Sequence, residues 1–372
     1  MHTIALFSQS AQLSGAELFL ARIAAGFNRV NPIVILGEDG PLRSIVEASG
    51  IKTFVLPGGT LGSVAGRLRC CRHLAALLRS SGAAVLYTHS AKAHVLGGIA
   101  GRLARIPVVF HAHDLLGPPA RGLLGSAFMR FCFAMLPNRR FANSTLTRAS
   151  AGTVARRQWS VFPCPVPDEL LAEPCVSAEN AANYRRARLL VLGRITAWKG
   201  QEIALRALEH LVDAGHDVEL HIVGSPQFPG DGKYELRLHA LAANPKIAAR
   251  VHFRGHSEDP ASALRDADIA LHTSLRPEPF GQVIVEAMAA GTPIVAASNA
   301  GAIEWLTPGS DCTTYTMGDA RGLARQVSHL LAQPDEARRI AKNARLTAES
   351  LSVKEIGPRI ENELIVAAGP SA

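Results

Sequence analysis

The chain has 372 residues, 48% of them hydrophobic and 19% charged, with a formal net charge of +8. That length gives room for two domains of ordinary size, and the composition excludes a disordered chain. Apolar runs fall short of the ~18 residues that a membrane-spanning helix needs; the best candidate, Val95 to Phe110, is interrupted by Arg102 and Arg105.

The N-terminus, Met1 to Phe7, lacks a basic region and a small-residue cleavage site, and reads as a first strand, not a signal peptide. Further short apolar segments follow at Ile33–Leu36, Thr53–Leu56, Val85–Thr88, Val108–Phe110 and Phe141–Asn143. Amphipathic stretches such as Gly15–Phe27 and Leu68–Leu78 lie between them. Strands separated by helical patterns predict βαβ units and a parallel sheet. At Phe162-Pro-Cys-Pro-Val-Pro-Asp168 three prolines interrupt the pattern, and Pro174 with the polar stretch Ser177–Arg188 extends the linker. A second alternation then begins, with strands at Leu189–Leu192, Leu220–Val223, Val251–Phe253, Ile269–His272 and Ile294–Ala297. Its helices are expected at Gln201–Ala214, Glu235–Ala243, Ala261–Asp266 and Val283–Ala290. The reading is α/β, with doubly wound Rossmann-like domains over 1–170 and 171–350, and a segment 351–372 that returns toward the first domain. Ligands of such sheets sit at the carboxyl ends of strands, so two such domains facing each other across a cleft would place the site there. Gly357-Pro358 is expected to interrupt a helix in the last segment.

Charge is uneven. Residues 1–170 hold 18 basic and 7 acidic side chains, a net +11, and the remainder holds 21 and 24, a net −3. Such a basic half could meet an anionic membrane surface or an anionic acceptor, or serve only as a solubilising surface. Nucleic acid is not expected, because aromatic residues do not interleave with the arginines and no DNA-binding motif is present. The six cysteines form no C-x-x-C pair, which points to free thiols in a reducing cytoplasm.

Several residue groups carry chemistry. Glu278 and Glu286 flank a predicted loop-to-helix junction at Phe280-Gly281, and the helix closes at Gly291 and Pro293. Free N–H groups at that helix start make an anion site. A carboxylate inside the helix can accept hydrogen bonds from a ribose diol. Arg194 and Lys199 follow a strand end at Gly193, where two fixed cations can neutralise a diphosphate. Gly15, in Gln12-Leu-Ser-Gly-Ala-Glu17, lets backbone approach a phosphate. His111 and His113 alternate at a strand end and are therefore expected on opposite faces, unable to chelate one metal together; His113, beside Asp114, is the better site candidate. Asp266-Ala-Asp268 is explained by helix termination and strand entry, and no metal role is assigned to it.

Together these residues resemble the glycosyltransferase family 4 pattern, the group 1 glycosyl transferase domain on a GT-B fold. The resemblance is strongest over 187–306, in G-R-x-x-x-x-K-G at 193–200, E-P-F-G-x-x-x-x-E-A-M-A-x-G-T-P at 278–293 and G-x-x-E at 301–304. Over 1–165 it is weaker and in the expected order, with S-G-A-E at 14–17, H-D at 113–114 and A-N-S-T at 142–145. It implies a retaining transfer of sugar from a UDP-, GDP- or ADP-sugar to an acceptor hydroxyl, with no cofactor and no metal. It further implies that Glu278 contacts the donor sugar, Glu286 the ribose, and Arg194 and Lys199 the diphosphate, helped by the amides of Phe280 and Gly281. Gly15 would lie under the diphosphate and His113 beside the transferred sugar, while Gly224 and Gly255 would line the base pocket. Acceptors in polysaccharide, lipopolysaccharide or glycolipid assembly are implied, with the protein cytoplasmic or peripheral at the inner face of the membrane. A sugar-nucleotide epimerase of the same fold and a non-catalytic nucleotide-sugar binder are the rival readings. The family's Asn-Gly near the end of the first domain is replaced by Pro163-Cys-Pro165, and its Gly-Gly in the first loop by Ser14-Gly15.

Overall fold

The computed structural model describes residues 1–57, 63–118, 122–172, 186–257 and 259–369. Cys175, Pro174 and the polar stretch up to residue 185 lie outside them. The chain forms two compact units, Met1–Pro165 with Ser352–Ala372, and Val166–Leu351. Residues 166–170, placed above in the first domain, lie in the second unit. The Val166 N–H donates to the Leu351 carbonyl at 2.9 Å, and Arg345 donates to the carbonyls of Leu170 and Leu171.

The first unit is built on β1 (Thr3–Ser8), β2 (Asn31–Leu36), β3 (Lys52–Val55), β4 (Ala83–Thr88), β5 (Val108–Ala112), β6 (Arg139–Ala142) and β7 (Ser160–Val161). They form a parallel sheet in the order β3-β2-β1-β4-β5-β6-β7. Ile4 to Phe7 are fully buried, as a central parallel strand covered on both faces requires. Crossovers from β1 run outward to β2 and β3, and those from β3 onward run back the other way. Right-handed connection therefore puts helices Val64–Ser80, Ala91–Ala104 and Gly122–Met135 on one face, and Gly15–Ala25 and Pro41–Ala48 on the other.

Helix Val353–Ala368 completes this unit and runs through Pro358 without a break, contrary to the expected interruption. Pro358 forfeits one helical N–H, while Val353, Ile356, Ile360 and Leu364 bury a full apolar stripe that holds the helix in place. Gly26 lets the helix close in, because a Cβ there would stand 2.2 Å from a Val353 methyl. Glu361 is buried, and its Oε1 accepts from the N–H groups of Asn28 and Val30 at 2.9 Å and of Arg29 at 2.5 Å.

The second unit contains β8 (Ala187–Leu192), β9 (Val218–Val223), β10 (Val251–Gly255), β11 (Ile269–His272), β12 (Ile294–Ala297) and β13 (Thr313–Tyr315). The order is β10-β9-β8-β11-β12-β13, again parallel. Strand β13 and the helices Ala320–Ala332 and Pro334–Ser350 were not marked by the sequence pattern. Asp268 has a structural use: its Oδ2 accepts from the Arg188 N–H at 2.6 Å, and its own N–H donates to the Arg188 carbonyl, joining β11 to β8.

Strand order reverses between β1 and β4 in the first sheet and between β8 and β11 in the second. Connections diverge at such points and leave a crevice beyond the carboxyl ends of the two strands.

Candidate active site

In the second unit the loops after β8 and β11 meet at this reversal. The short 3-10 helix Ala197–Lys199 ends at Gly200, whose φ is 67° and whose added Cβ would lie 2.2 Å from the Thr273 carbonyl oxygen. Only glycine lets the two loops touch there. They are joined by the Leu275 N–H donating to the Trp198 carbonyl at 2.7 Å and the Thr273 hydroxyl donating to the Lys199 carbonyl at 2.9 Å.

Glu278 is buried at the end of this junction. Its Oε1 lies 2.5 Å from Lys199 Nζ, and its Oε2 lies 2.7 Å from His272 Nε2 and accepts from the Ser274 hydroxyl. Burial by itself would raise the Glu278 carboxyl; the Lys199 charge, the neighbouring His272 ring and the hydrogen bonds from both outweigh it and hold the group well below the usual carboxylate range. Pro277 and Pro279 keep the backbone extended, so Glu278 pairs in parallel with Ala300, donating to Asn299 at 3.2 Å and accepting from Gly301 at 3.0 Å.

Arg194 stands on the same loop. Its guanidinium lies 4.7 Å from the Phe228 ring centre and 5.9 Å from that of Trp198, and Lys199 Nζ lies 4.6 Å from the same indole. Both cations thus contact the same indole, which restrains them. Arg194 Nε is buried with no hydrogen-bond partner among the described residues.

Helix Gln282–Ala290 begins at Gly281 with φ 97°, and the Phe280 carbonyl accepts from the Ala302 N–H at 2.8 Å. Glu286 is half-buried on the second turn. Gly224 closes β9 at φ 143°, where an added Cβ would fall 2.0 Å from the Gly193 carbonyl oxygen, and its N–H donates to the Gly255 carbonyl at 2.7 Å. The strand ends of β8, β9 and β10 are therefore drawn together by glycines 193, 224 and 255.

In the first unit Gly15 opens helix Gly15–Ala25 after β1. The hydroxyls of Ser14 and Ser8 both donate to Glu17, the latter at 2.9 Å, and burial still pushes the Glu17 carboxyl up. His113 lies just beyond β5, and here the expectation of opposite faces fails. The strand stops at Ala112, so the two-residue alternation no longer applies, and the His111 and His113 rings stack with centres 4.3 Å apart. Phe19 packs against both rings, at 4.7 and 4.6 Å, which ties the Gly15 helix to them. His89 Nδ1 lies 3.2 Å from His113 Nε2, and His111 Nδ1 lies 2.5 Å from the Tyr87 hydroxyl. Burial pushes His113 down to about 3, and burial foremost holds His89 and His111 well below the usual imidazole value, so all three are neutral at pH 7.

These three histidines offer ring nitrogens within 4.8 Å of one another, close enough for a shared metal ion, so the argument against joint chelation does not hold. Glu219, His221 and His252 form a second such group, but Arg188 lies 3.4 Å from Glu219 and its charge opposes a cation there.

The structure thus brings Lys199 and Glu278 into contact and sets Arg194 and the Gly281 helix start on neighbouring loops of the same unit. It also reveals His272, Ser274, Trp198 and Phe228, which sequence reasoning missed. His272 had been read only as the last residue of a strand; its place beside β8 at the order reversal is the signal that would have marked it.

The family model described as glycosyl transferases group 1 matches residues 176–347, and that of the glycosyl transferase 4-like domain matches residues 14–163. Among curated proteins, the lipopolysaccharide core biosynthesis glycosyltransferase LpsE of Rhizobium meliloti is 32% identical over 118 residues, covering 32% of this chain and 34% of LpsE. The phosphatidyl-myo-inositol mannosyltransferase of Mycobacterium leprae is 30% identical over 257 residues, covering 66% of this chain and 64% of the relative. The matches span less than two thirds of either relative's length. Among solved structures, Anabaena HepE in complex with UDP and glucose superposes with a TM-score of 0.86 at 27% identity, over 98% of this chain and 99% of HepE. HepE has also been crystallised with UDP-glucose, with a TM-score of 0.85 and 28% identity over 98% of this chain and 99% of HepE. With both family models matched in order on two parallel Rossmann-like units, the chain belongs to the group 1 glycosyltransferases of GT-B fold.

Proposed function

We propose that the protein is a retaining glycosyltransferase that moves a hexosyl group from a UDP-sugar to an acceptor hydroxyl. The reading rests above all on one observation: Lys199 and Glu278 are paired at the strand-order reversal of the second sheet, with Arg194 on the same loop. As the bond from the anomeric carbon to the leaving oxygen breaks, its electron pair goes to the terminal phosphate of the nucleotide. Arg194, Lys199 and the amides at Phe280-Gly281 stabilise that growing charge, and Glu278 fixes the lysine that does so. The acceptor oxygen attacks from the face the phosphate leaves, and its proton passes to a departing phosphate oxygen. Retention follows.

The remaining residues take supporting roles. Glu278 also meets donor sugar hydroxyls, Glu286 the ribose, and Gly224 and Gly255 the base. Neutral His113 is suited to hydrogen-bond a sugar hydroxyl, and Gly15 to admit a phosphate close to backbone. Two fixed cations supply the charge that a metal would otherwise provide, so no metal is assigned to the reaction. UDP is favoured because HepE binds it at 27% identity over nearly its full length. A glycan or lipid-linked acceptor is favoured by the lipopolysaccharide and phosphatidylinositol relatives.

The test is incubation of the protein with UDP-glucose, GDP-mannose or ADP-glucose and no acceptor, with and without a chelator. Slow release of UDP, unaffected by chelator, is expected. Formation of an epimer would establish the epimerase reading, and tight binding with no turnover the non-catalytic one. Lys199→Ala should slow release by roughly a hundredfold or more.

A further inference from the structure

Helix Gly122–Met135 is apolar on two sides. Ser126, Met129, Cys132 and Phe133 face the core, while Leu124, Phe128, Phe131 and Met135 stand exposed by 88, 53, 62 and 51%. The exposed four recur at spacings of four, three and four, which makes one stripe along the helix. Leu123 extends it at the start, and on the neighbouring helix Ala91–Ala104 Leu103 is also exposed. An outward apolar stripe of this length calls for an occupant.

The charge around it says which. From Ser63 to Pro165 the sequence carries 14 lysines and arginines and one acid, Asp114. The three helices that share this face, Val64–Ser80, Ala91–Ala104 and Gly122–Met135, contain no acid. Arginines adjoin the apolar stripe directly: Arg102 donates to the Met135 carbonyl, and Arg79 donates to the Leu103 carbonyl at 3.0 Å. Arg67, Arg69 and Arg72 are exposed on the outermost of the three helices. Among the described residues no helix is long and apolar enough to cross a membrane.

We propose that this helical face adsorbs to an anionic lipid surface. Leu124, Phe128 and Phe131 enter the boundary between headgroups and acyl chains, and Arg67, Arg69, Arg72, Arg79 and Arg102 meet the lipid phosphates. Apolar insertion and electrostatic attraction together are what an interfacial helix requires. Nucleic acid would account for the arginines and leave the stripe in water; a second copy of the chain would cover the stripe and oppose like charges. The inference stands on exposure and charge and is independent of the transfer reaction, since no donor enters the measurement.

The test is co-sedimentation of the full chain with vesicles of phosphatidylcholine alone and of phosphatidylcholine mixed with phosphatidylglycerol. Binding is expected only with the mixed vesicles, and to be lost at high salt. F128S/F131S should weaken it about tenfold or more, and R69E/R72E, which reverses two charges, by more than roughly thirtyfold, each with unchanged thermal unfolding because all four side chains are exposed. Three results would overturn the proposal: equal or absent binding to the two vesicle types; variants that bind as wild type; or a dimer in sedimentation velocity that F128S/F131S dissolves. Retention on a single-stranded oligonucleotide with no vesicle binding would likewise overturn it, in favour of nucleic acid.

Discussion

Glu278→Gln removes the negative charge that Lys199, His272 and Ser274 surround, and little else changes in shape. The Glu278 side chain is 8% exposed and that of Lys199 21%, so solvent can replace the lost charge only in part. Breaking a buried pair by neutralising one partner costs about 3–5 kcal/mol; the Gln oxygen still accepts from Ser274, which places the expected loss near ~3 kcal/mol. The unit containing the pair spans Val166–Leu351, and for a unit of this size that loss corresponds to a transition lowered by roughly 6–12 °C. Calorimetry resolves it, because a second transition from the first unit should stay in place.

Acid supplies an independent check. The folded carboxyl is depressed, so its stabilisation is fully present above the unfolded value near 4.5 and is lost as pH falls toward the folded value. Wild type should therefore lose about 1.4 kcal/mol per pH unit relative to Glu278→Gln below that point, and the two should converge in urea unfolding at low pH. A variant as stable as wild type at pH 7, or a stability difference unchanged on acidification, would refute the account of the buried carboxylate.

Other outcomes follow from single contacts. Gly224→Ala places a methyl 2.0 Å from the Gly193 carbonyl oxygen at φ 143° and should cost roughly 2–4 kcal/mol in denaturant unfolding. Gly232→Ala, on a helix with open space around it, should instead stabilise by about 0.5–1 kcal/mol. Glu361→Ala leaves the N–H groups of Asn28, Arg29 and Val30 without their acceptor and should destabilise the first unit by about 3 kcal/mol, seen as faster limited proteolysis of the last helix.

Elements whose apolar runs are long or evenly spaced were legible in the sequence. Both parallel sheets, the helix opening at Gly281 and its closure at Gly291 follow from alternation and from glycine placement. Strand β13 was not legible, since three residues carry too little pattern. Pro358 misled because propensity is local, while four buried apolar side chains decide the helix. His111 and His113 misled because a period of two holds only inside a strand, and β5 ends between them. Arg194, Lys199 and Glu278 were visible as separate motifs. That Lys199 and Glu278, 79 residues apart, form one pair depends on β8 lying beside β11, a neighbour relation that pattern along the chain does not encode.

The helix that begins at Val353 also bears on synthesis. A chain emerging from the ribosome presents all seven strands of its opening sheet before it presents Glu361. Until then three amides beside β2 have no acceptor and the groove filled by Ile356, Ile360 and Leu364 stays wet. The part translated first is therefore completed last, after the intervening Val166–Leu351 unit has had time to fold on its own.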